Sequence, residues 1–254
     1  MDQRPPLSAV LITYNAGTLL SECLASLAFA SEIVVVDAGS TDDTLGIARR
    51  HGTRMIHHEW AGYGPQKRFA VEHASHDWVL CIDADERVPP SLAQAILERI
   101  SKARHWAFEI PRANFFLGQY LRHGEGYPDW SLRLFHRRHA QWSDDSVHEK
   151  VLATGAVERI RNAGALLHHS ADSLETYLEK QNRYTTLQAE NLHARGESAG
   201  LARIVFSPVL RFLKFYLIRG GFLDGLPGLV HVGIGCFNSF VKYVKLRALR
   251  DERP

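Results

Sequence analysis

The chain has 254 residues, of which 45% are hydrophobic and 23% charged, so it has the composition of a globular protein with a full core. Its net charge of +2 is too small to indicate nucleic-acid binding. The three widely spaced cysteines, Cys23, Cys81 and Cys236, form neither a disulfide framework nor a zinc-ligand pattern, and they favour a reducing compartment. The first residues lack the apolar segment and cleavage site of a signal peptide, so we expect a cytoplasmic protein.

Short apolar runs alternate with amphipathic segments over the first hundred residues. The amphipathic segments have apolar residues at helical spacing, and we predict that Ser40 and Asp43 form a capping box and that Pro65 stands near a helix start. Strand–helix alternation of this kind indicates a parallel α/β sheet. The apolar runs predict buried strands over 8–15, 32–40, 54–60 and 77–85.

Polar residues stand at the ends of three of the predicted strands. In parallel α/β sheets, ligands bind at the carboxyl ends of the strands, so these residues should meet at one edge. Helix capping would explain each end by itself, but three polar ends together favour a ligand site. The polar strand ends comprise Thr13, Tyr14 and Asn15 after the first strand, Asp37 to Ser40 after the second, and Asp83, Ala84 and Asp85 after the fourth.

The residues next to these strand ends exclude several ligand classes. The first strand leads into neither a G-x-G-x-x-G fingerprint nor a P-loop. The phosphatase-type pattern Asp-x-Asp-x-Thr is not matched, because Arg87 stands where threonine is required. An EF-hand loop starting at Asp83 is not matched either, because Val88 replaces the turn glycine and Gln94 the bidentate glutamate. The ligand class that remains is a hard divalent cation, Mg²⁺ or Mn²⁺, held by carboxylates and by the phosphate oxygens of a nucleotide.

Four motifs in order resemble the family 2 glycosyltransferases of the GT-A fold. These are TYN (13–15), VVVDAGSTDDT (34–44), GPQK (64–67) and IDADE (82–86). The resemblance implies the nucleotide-diphospho-sugar transferase fold, an α/β fold with a mostly parallel central sheet flanked by helices. It also implies a metal-dependent hexosyl transfer from a nucleotide-sugar.

The same resemblance implies roles for the strand-end residues. Asp37 would hold the uracil, and the Thr13-Tyr14-Asn15 segment would line the base pocket. Lys67, with Gln66 or Arg68, would contact the donor, although a solvated helix face also explains a basic pair. The Asp83-Ala84-Asp85 motif would serve the ribose and the metal, with Asp85 as the first choice of metal ligand.

The second half resembles one branch of the family, the bacterial lipopolysaccharide core glucosyltransferases. Its residues YPDWSLRLF (127–135), SVHEK (146–150), ALLHHS (165–170) and EKQNRYTTLQAE (179–190) carry the likeness. The branch implies UDP-glucose as donor and a lipid-linked saccharide, the lipopolysaccharide inner core, as acceptor.

An inverting transfer needs a base that deprotonates the acceptor hydroxyl. We predict Glu149 in this role, with Asp145 next and with Asp144 and Asp129 as further alternatives. His148 would complete the metal shell or orient Glu149. The aspartate pair 144–145 would instead cap a turn if it has no catalytic role.

Histidine pairs and aromatic residues give weaker signals. The adjacent pairs His57-His58 and His168-His169 would point to opposite faces of a strand, so we predict no zinc site. Tyr127, Trp130 and Trp142 would either stack on sugar rings or pack in the core.

The composition changes from Leu201 onward, where bulky apolar residues recur together with arginine and lysine. The most apolar window, 222–240, contains Asp224, Pro227 and His231, which argues against a spanning helix. Cationic helices with apolar faces suit the surface of an anionic membrane, although packing on the domain or a dimer interface is the alternative. We therefore expect a peripheral protein at the cytoplasmic face of the bacterial inner membrane, and the sequence leaves the oligomeric state open.

The predicted organisation is a GT-A domain over 1–172, with a donor half over 1–100 and an acceptor half over 101–172, followed by a helical basic region over 173–254. Two rival functions remain open. One is glycosyl transfer to a polyprenyl phosphate, which is already ionised and needs no base. The other is a non-catalytic membrane adaptor on the same fold, which would hydrolyse no UDP-sugar. A sugar-phosphate nucleotidyltransferase is disfavoured, because the glycine-rich and basic triphosphate loop is missing after the first strand.

Overall fold

A computed structural model of the chain describes residues 5–145, 149–169 and 173–251. These residues form two compact units. The sheet unit contains residues 5–112, 129–145 and 149–169, and the helical unit contains residues 113–128 and 173–251. The segment 113–128, which lies within the predicted GT-A domain, thus belongs to the same unit as the C-terminal helices.

The sheet unit begins with the predicted strand–helix alternation. Its helices are α1 (Gly17–Ser26), α2 (Thr44–Arg50), α3 (Tyr63–Glu72) and α4 (Pro90–Ser101). The strands of the described residues, in both units, are β1 (Leu7–Thr13), β2 (Glu32–Asp37), β3 (Arg54–His57), β4 (Trp78–Cys81), β5 (Glu86–Arg87), β6 (Ala107–Phe116), β7 (Gln119–Tyr120), β8 (Asp129–His136), β9 (Ala140–Trp142), β10 (Val151–Ala153), β11 (Val157–Arg159) and β12 (Leu166–His168).

The central sheet has the order β3-β2-β1-β4-β8-β6-β12-β5. Its first four strands are parallel, while β8 pairs antiparallel with both β4 and β6. β1 is buried along nearly its whole length, as expected of a strand covered on both faces. The predicted α/β architecture is confirmed, and the carboxyl ends of β1, β2 and β4 lie at one edge.

The predicted capping box at the start of α2 is wrong. Asp43 makes no side-chain capping bond, and the Thr44 amide donates instead to Asp42 Oδ1 at 3.0 Å. Ser40 is not available to the helix, because its hydroxyl donates to Asp37 Oδ1 at 2.5 Å. The Ser40 side chain that the capping box required is therefore hydrogen-bonded to the Asp37 carboxylate at the end of β2.

From residue 173 onward, the helical unit consists of helices and short helical turns. Among the described residues, no helix is both long and apolar enough to cross a membrane. The elements are α5 (Leu174–Ala194), α6 (Leu201–Phe212), a π-helical turn (Leu213–Ile218), a 3-10 turn (Gly221–Asp224) and α7 (Gly225–Asp251).

Asp224 explains why the segment 113–128 joins the helical unit. Its Oδ2 accepts hydrogen bonds from the backbone amides of Arg122 and His123 at 3.0 and 2.8 Å. Its carbonyl oxygen accepts a bond from Gln119 Nε2 at 2.7 Å. Because Asp224 is buried, these bonds satisfy a carboxylate that burial would otherwise penalise.

Candidate active site

Asp37, at the end of β2, organises the first part of the strand-end edge. Its Oδ1 accepts from the hydroxyls of Thr13 and Ser40, and its Oδ2 accepts from the amides of Gly39 and Ser40 at 2.9 and 2.8 Å. Although burial opposes the charged form, these bonds hold the pKa of Asp37 below its ordinary value. Each oxygen of this carboxylate already accepts two hydrogen bonds from the protein, so a nucleobase N–H that bound Asp37 would have to replace one of these donors.

Asn15 connects the end of β1 to the same loop. Its backbone amide donates to Ser40 Oγ, and its Oδ1 accepts from the Thr41 amide, both at 2.8 Å. Asn15 has a φ of +48°, a left-handed conformation that asparagine tolerates better than most residues. The neighbouring Tyr14 is 61% exposed, so its ring is available to a ligand at this edge.

Helix α3 carries Lys67 into the middle of the edge. Its Nζ lies 3.2 Å from Asp83 Oδ1 and 2.9 Å from Glu149 Oε1, and it stands 4.7 Å from the centre of the Trp142 ring. Gly64 makes this approach possible, since a Cβ there would lie 2.2 Å from the carbonyl oxygen of Ser143. Lys67 thus joins the predicted donor site to the predicted base.

Gln66 and Arg68, the neighbours of Lys67, are engaged elsewhere. Gln66 is fully buried, and its amide group bonds both the ring and the carbonyl oxygen of His58. Arg68 forms ion pairs with Asp144 and Glu72. Both side chains therefore hold α3 in place, and their contact with a donor stays a prediction.

The turn after β4 surrounds the buried guanidinium of Arg133, a residue of β8. Arg133 Nη2 lies 2.5 Å from Asp83 Oδ2 and 3.1 Å from Glu86 Oε1. Burial opposes the charge of Asp83, but Arg133 and Lys67 hold its pKa well below the usual range. Burial raises the pKa of Glu86, and the charge of Asp83 adds to this effect.

The polar cluster continues from Glu86 to Arg112, which lies 3.5 Å from Glu86 Oε1 and binds Asp129 Oδ2 through Nε and Nη2. Acidic groups outnumber basic groups in this cluster by one, an excess that suits a cation. The acidic members are Asp83, Glu86, Asp129 and Glu149, and the basic members are Lys67, Arg112 and Arg133.

Asp85 differs from the other carboxylates in having a buried oxygen, Oδ1, without a hydrogen-bond partner among the described residues. Its other oxygen lies 3.2 Å from His168 Nε2 in β12. Carboxylate oxygens suit Mg²⁺ and Mn²⁺, whereas an imidazole nitrogen suits transition-metal ions, so this pair favours Mn²⁺ over Mg²⁺. No group of three metal-ligating side chains occurs within the described ranges, and the predicted ligand His148 lies outside them.

The predicted bases occupy different surroundings. Glu149 lies at the site through its ion pair with Lys67, and Asp129 reaches the same cluster through Arg112. Asp144 pairs with Arg68, and Asp145 is exposed, its backbone bonding the Gly64 amide. Of these four, Glu149 is thus the acid that directly contacts a residue bound to Asp83.

The family model for glycosyl transferase family 2 matches residues 8–160, which include all three polar strand ends, the Asp-x-Asp motif and Glu149. The chain belongs to glycosyltransferase family 2. It is also 30% identical over 95% of its length, and over 92% of the relative, to the lipopolysaccharide core biosynthesis glycosyltransferase LpsC of Rhizobium meliloti. An uncharacterized glycosyltransferase of Rickettsia typhi, RT0209, is 30% identical over 96% of this chain and 87% of its own length.

Solved structures confirm the GT-A fold of this glycosyltransferase. S. aureus TarS 1-349 in complex with UDP superposes with a TM-score of 0.51 at 15% identity, covering 98% of this chain and 92% of TarS 1-349. The complex of the same protein with UDP-GlcNAc gives a TM-score of 0.50 at 16% identity, covering 94% and 82%. At such identity the likeness concerns the fold alone.

Sequence reasoning did not find Arg133, Glu86 or His168. Arg133 is a charged residue inside the otherwise apolar run SLRLF, and a charge where the core is expected is the available signal, whereas Glu86, between Asp85 and Arg87, carries no such signal. The sequence predicts no zinc site at His168, because adjacent histidines point to opposite faces of a strand. One face of β12, however, borders Asp85.

Replacing Arg133 should destabilise the fold strongly. Arg133→Met leaves Asp83 and Glu86 together without the guanidinium, and a broken buried ion pair costs about 3–5 kcal/mol. Arg138→Met is the matched control, because Arg138 is 73% exposed and its pair with Asp77 is worth less than about 1 kcal/mol. Urea unfolding measures both, and equal losses would contradict the role given to Arg133.

The contribution of Asp37 to stability should depend on pH. Because its folded pKa lies below the ordinary 3.8, the ionised carboxylate stabilises the fold above that value, and this stabilisation is lost as the pH falls through the folded pKa. Asp37→Asn should cost about 1.5–3 kcal/mol at pH 7. The gap from wild type should narrow below about pH 4. Urea unfolding at several pH values tests this, and a gap independent of pH would show that the charge is not the source.

Proposed function

We propose that this glycosyltransferase moves a hexose, glucose in the first instance, with inversion from a UDP-sugar to a lipid-linked saccharide, the lipopolysaccharide inner core. The observation that carries the proposal is the position of Lys67 between Asp83 and Glu149. One side chain thus contacts both Asp83 of the Asp-x-Asp motif and Glu149, which supports a shared role in the transfer. The LpsC relative, similar along nearly the whole chain, supports the class of acceptor.

The donor would lie along the strand-end edge. Asn15 and the loop shaped by Asp37 would receive the nucleobase, and Asp83 the ribose. Asp85, through its unpaired Oδ1, and His168 would hold a divalent cation. When bound, such a cation neutralises charge on the departing diphosphate. Lys67 adds a second positive charge at the same place, where the largest charge of the transfer develops.

Glu149 would act as the base. In the proposed step it takes the proton of the acceptor hydroxyl while the oxygen attacks the anomeric carbon. The bond from that carbon to the diphosphate oxygen breaks, and UDP leaves with the electron pair. The ion pair with Lys67 holds Glu149 at the site, which favours proton transfer over a short, defined distance.

The acceptor sugar of a lipid-linked saccharide lies close to the headgroups of a membrane. An enzyme acting on it gains from docking at the anionic surface, and the basic, apolar region 201–254 is the part of this chain suited to that contact. This proposal places the protein at the cytoplasmic face of the inner membrane.

Loss of the Asp85 carboxylate should abolish use of the donor. Asp85→Ala should lower Mn²⁺-dependent hydrolysis of UDP-glucose by about 10²-fold or more. Asp43→Ala, an exposed acid paired with Arg50, is the control and should keep the wild-type rate. Hydrolysis is followed by UDP release across UDP-, GDP- and ADP-sugars, with manganese or magnesium. A wild-type protein that hydrolyses none of them would support the non-catalytic alternative.

Glu149→Gln should separate the two classes of acceptor. With a saccharide acceptor, loss of the base should lower kcat by about 10²–10⁴-fold. Asp145→Asn should change it little, because it is Glu149 that pairs with the Lys67 bound to Asp83. The measurement is transfer of labelled glucose to a deacylated inner-core saccharide and to a polyprenyl phosphate. An unchanged rate for Glu149→Gln on the phosphate acceptor, without transfer to the saccharide, would overturn the proposed acceptor.

A further inference from the structure

The helical unit carries a one-sided charge along its last fifty residues. Residues 201–250 contain eight basic residues and one acidic residue, Asp224. Asp224 is buried and satisfied by Arg122, His123 and the backbone, so it does not offset the exposed cations. The basic residues are Arg203, Arg211, Lys214, Arg219, Lys242, Lys245, Arg247 and Arg250.

Large apolar side chains are exposed along α6 and the π-helical turn. They recur every three or four residues and therefore lie on one side of the helix. Ile218, at the end of this series, is 82% exposed. The members are Val205, Phe206, Val209, Leu210, Leu213, Leu217 and Ile218, which are all at least 42% exposed.

The exposed apolar series continues into the 3-10 turn and the start of α7. Phe222 and Leu223 precede Asp224 and are 49% and 61% exposed, and Leu226 is 68% exposed. The buried hydrogen bonds of Asp224 anchor this turn from inside, and Phe222 and Leu223 project from it. We call residues 209–226 the docking segment.

Three cations surround one aromatic ring inside the docking segment. The charged groups of Lys214, Arg211 and Arg219 lie 5.0, 5.5 and 5.6 Å from the centre of the Phe215 ring. Arg211 is neutralised by Glu125, with Nε 3.0 Å from Oε2. Lys214 and Arg219 have no carboxylate partner among the described residues, and both are exposed, so their charges suit an anion from outside.

We propose that the docking segment inserts into the headgroup region of an anionic bilayer, with Lys214 and Arg219 on lipid phosphates. Leu217, Ile218 and Phe222 contact the upper acyl chains. Exposed apolar surface beside unpaired cations matches the chemistry of an anionic leaflet. A second copy of the chain fits less well, because it would place like charges opposite one another.

This inference rests on the proposed lipid-linked acceptor. It names the part of the chain that would bring the enzyme to the membrane in which that acceptor is held. Only the docking segment and the charges beside it are involved, so the surface is much smaller than the whole region 201–254. The cation pair determines the preference for anionic lipid, and the apolar residues supply the affinity that salt does not remove.

The test is co-sedimentation of the full chain with vesicles of phosphatidylcholine, with or without about one-third phosphatidylglycerol. Wild type should bind the anionic vesicles and bind neutral ones much more weakly. Lys214→Gln with Arg219→Gln should weaken anionic binding by about 25-fold, or about fivefold for each cation. Leu217→Ser with Ile218→Ser should weaken it by about tenfold or more and leave the preference for anionic lipid.

Matched controls come from the sheet unit. Arg49→Gln removes an exposed cation, and Leu152→Ser removes an apolar side chain that is 47% exposed. Neither should change vesicle binding. Equal losses in the controls and in the docking-segment variants would overturn the proposal, since they would indicate a non-specific effect of charge or hydrophobicity.

Two further measurements distinguish membrane docking from the proposed enzymatic function and from self-association of the chain. Hydrolysis of UDP-glucose without lipid should be the same in wild type and in the docking-segment variants. A wild-type protein that hydrolyses the donor but ignores anionic vesicles would overturn the docking proposal alone. Sedimentation velocity tests whether a second copy of the chain covers the docking segment instead. A wild-type dimer that Ile218→Ser converts to a monomer, together with no binding to vesicles, would identify the segment as a self-association surface and overturn the docking proposal.

Discussion

The buried guanidinium of Arg133 is the interaction on which the candidate site depends. β8 pairs antiparallel with β4, and the register that places Leu134 opposite Leu80 brings Arg133 beside the turn at the end of β4. One cation there holds Asp83 on one side and Glu86 on the other. Asp83 in turn binds Lys67, which binds Glu149, so the orientation of the donor motif and of the predicted base both depend on a single strand pairing.

The two units have opposite electrostatic character, and each suits a different part of the proposed reaction. At the strand-end edge, acidic groups exceed basic ones, and the unpaired oxygen of Asp85 favours a cation and, through it, a diphosphate. In the helical unit, exposed cations lie among exposed apolar residues, which favours anionic lipid. A nucleotide-sugar and a membrane-bound acceptor would therefore be recognised by separate surfaces.

Local patterns predicted the elements well but their hydrogen bonds poorly. The strands around the donor edge and the helices between them were expected from apolar periodicity, which depends on neighbouring residues only. The capping box at α2 failed because Ser40 bonds Asp37, a partner that the local pattern could not rank above the helix. The grouping of 113–128 with the C-terminal helices has a different origin, since Asp224 is about a hundred residues away in sequence from the amides it binds.

The sequence by itself determined the family, the parallel half of the sheet, and the presence of carboxylates at its carboxyl edge. It did so because strand ends and the motif order TYN, VVVDAGS, GPQK and IDADE are local features. Only the tertiary structure decided which charges meet. Lys67 and Glu149 are 82 residues apart in the chain, and Arg133 and Asp83 are 50 apart. Contacts at such separations depend on sheet order and register, which no local pattern specifies.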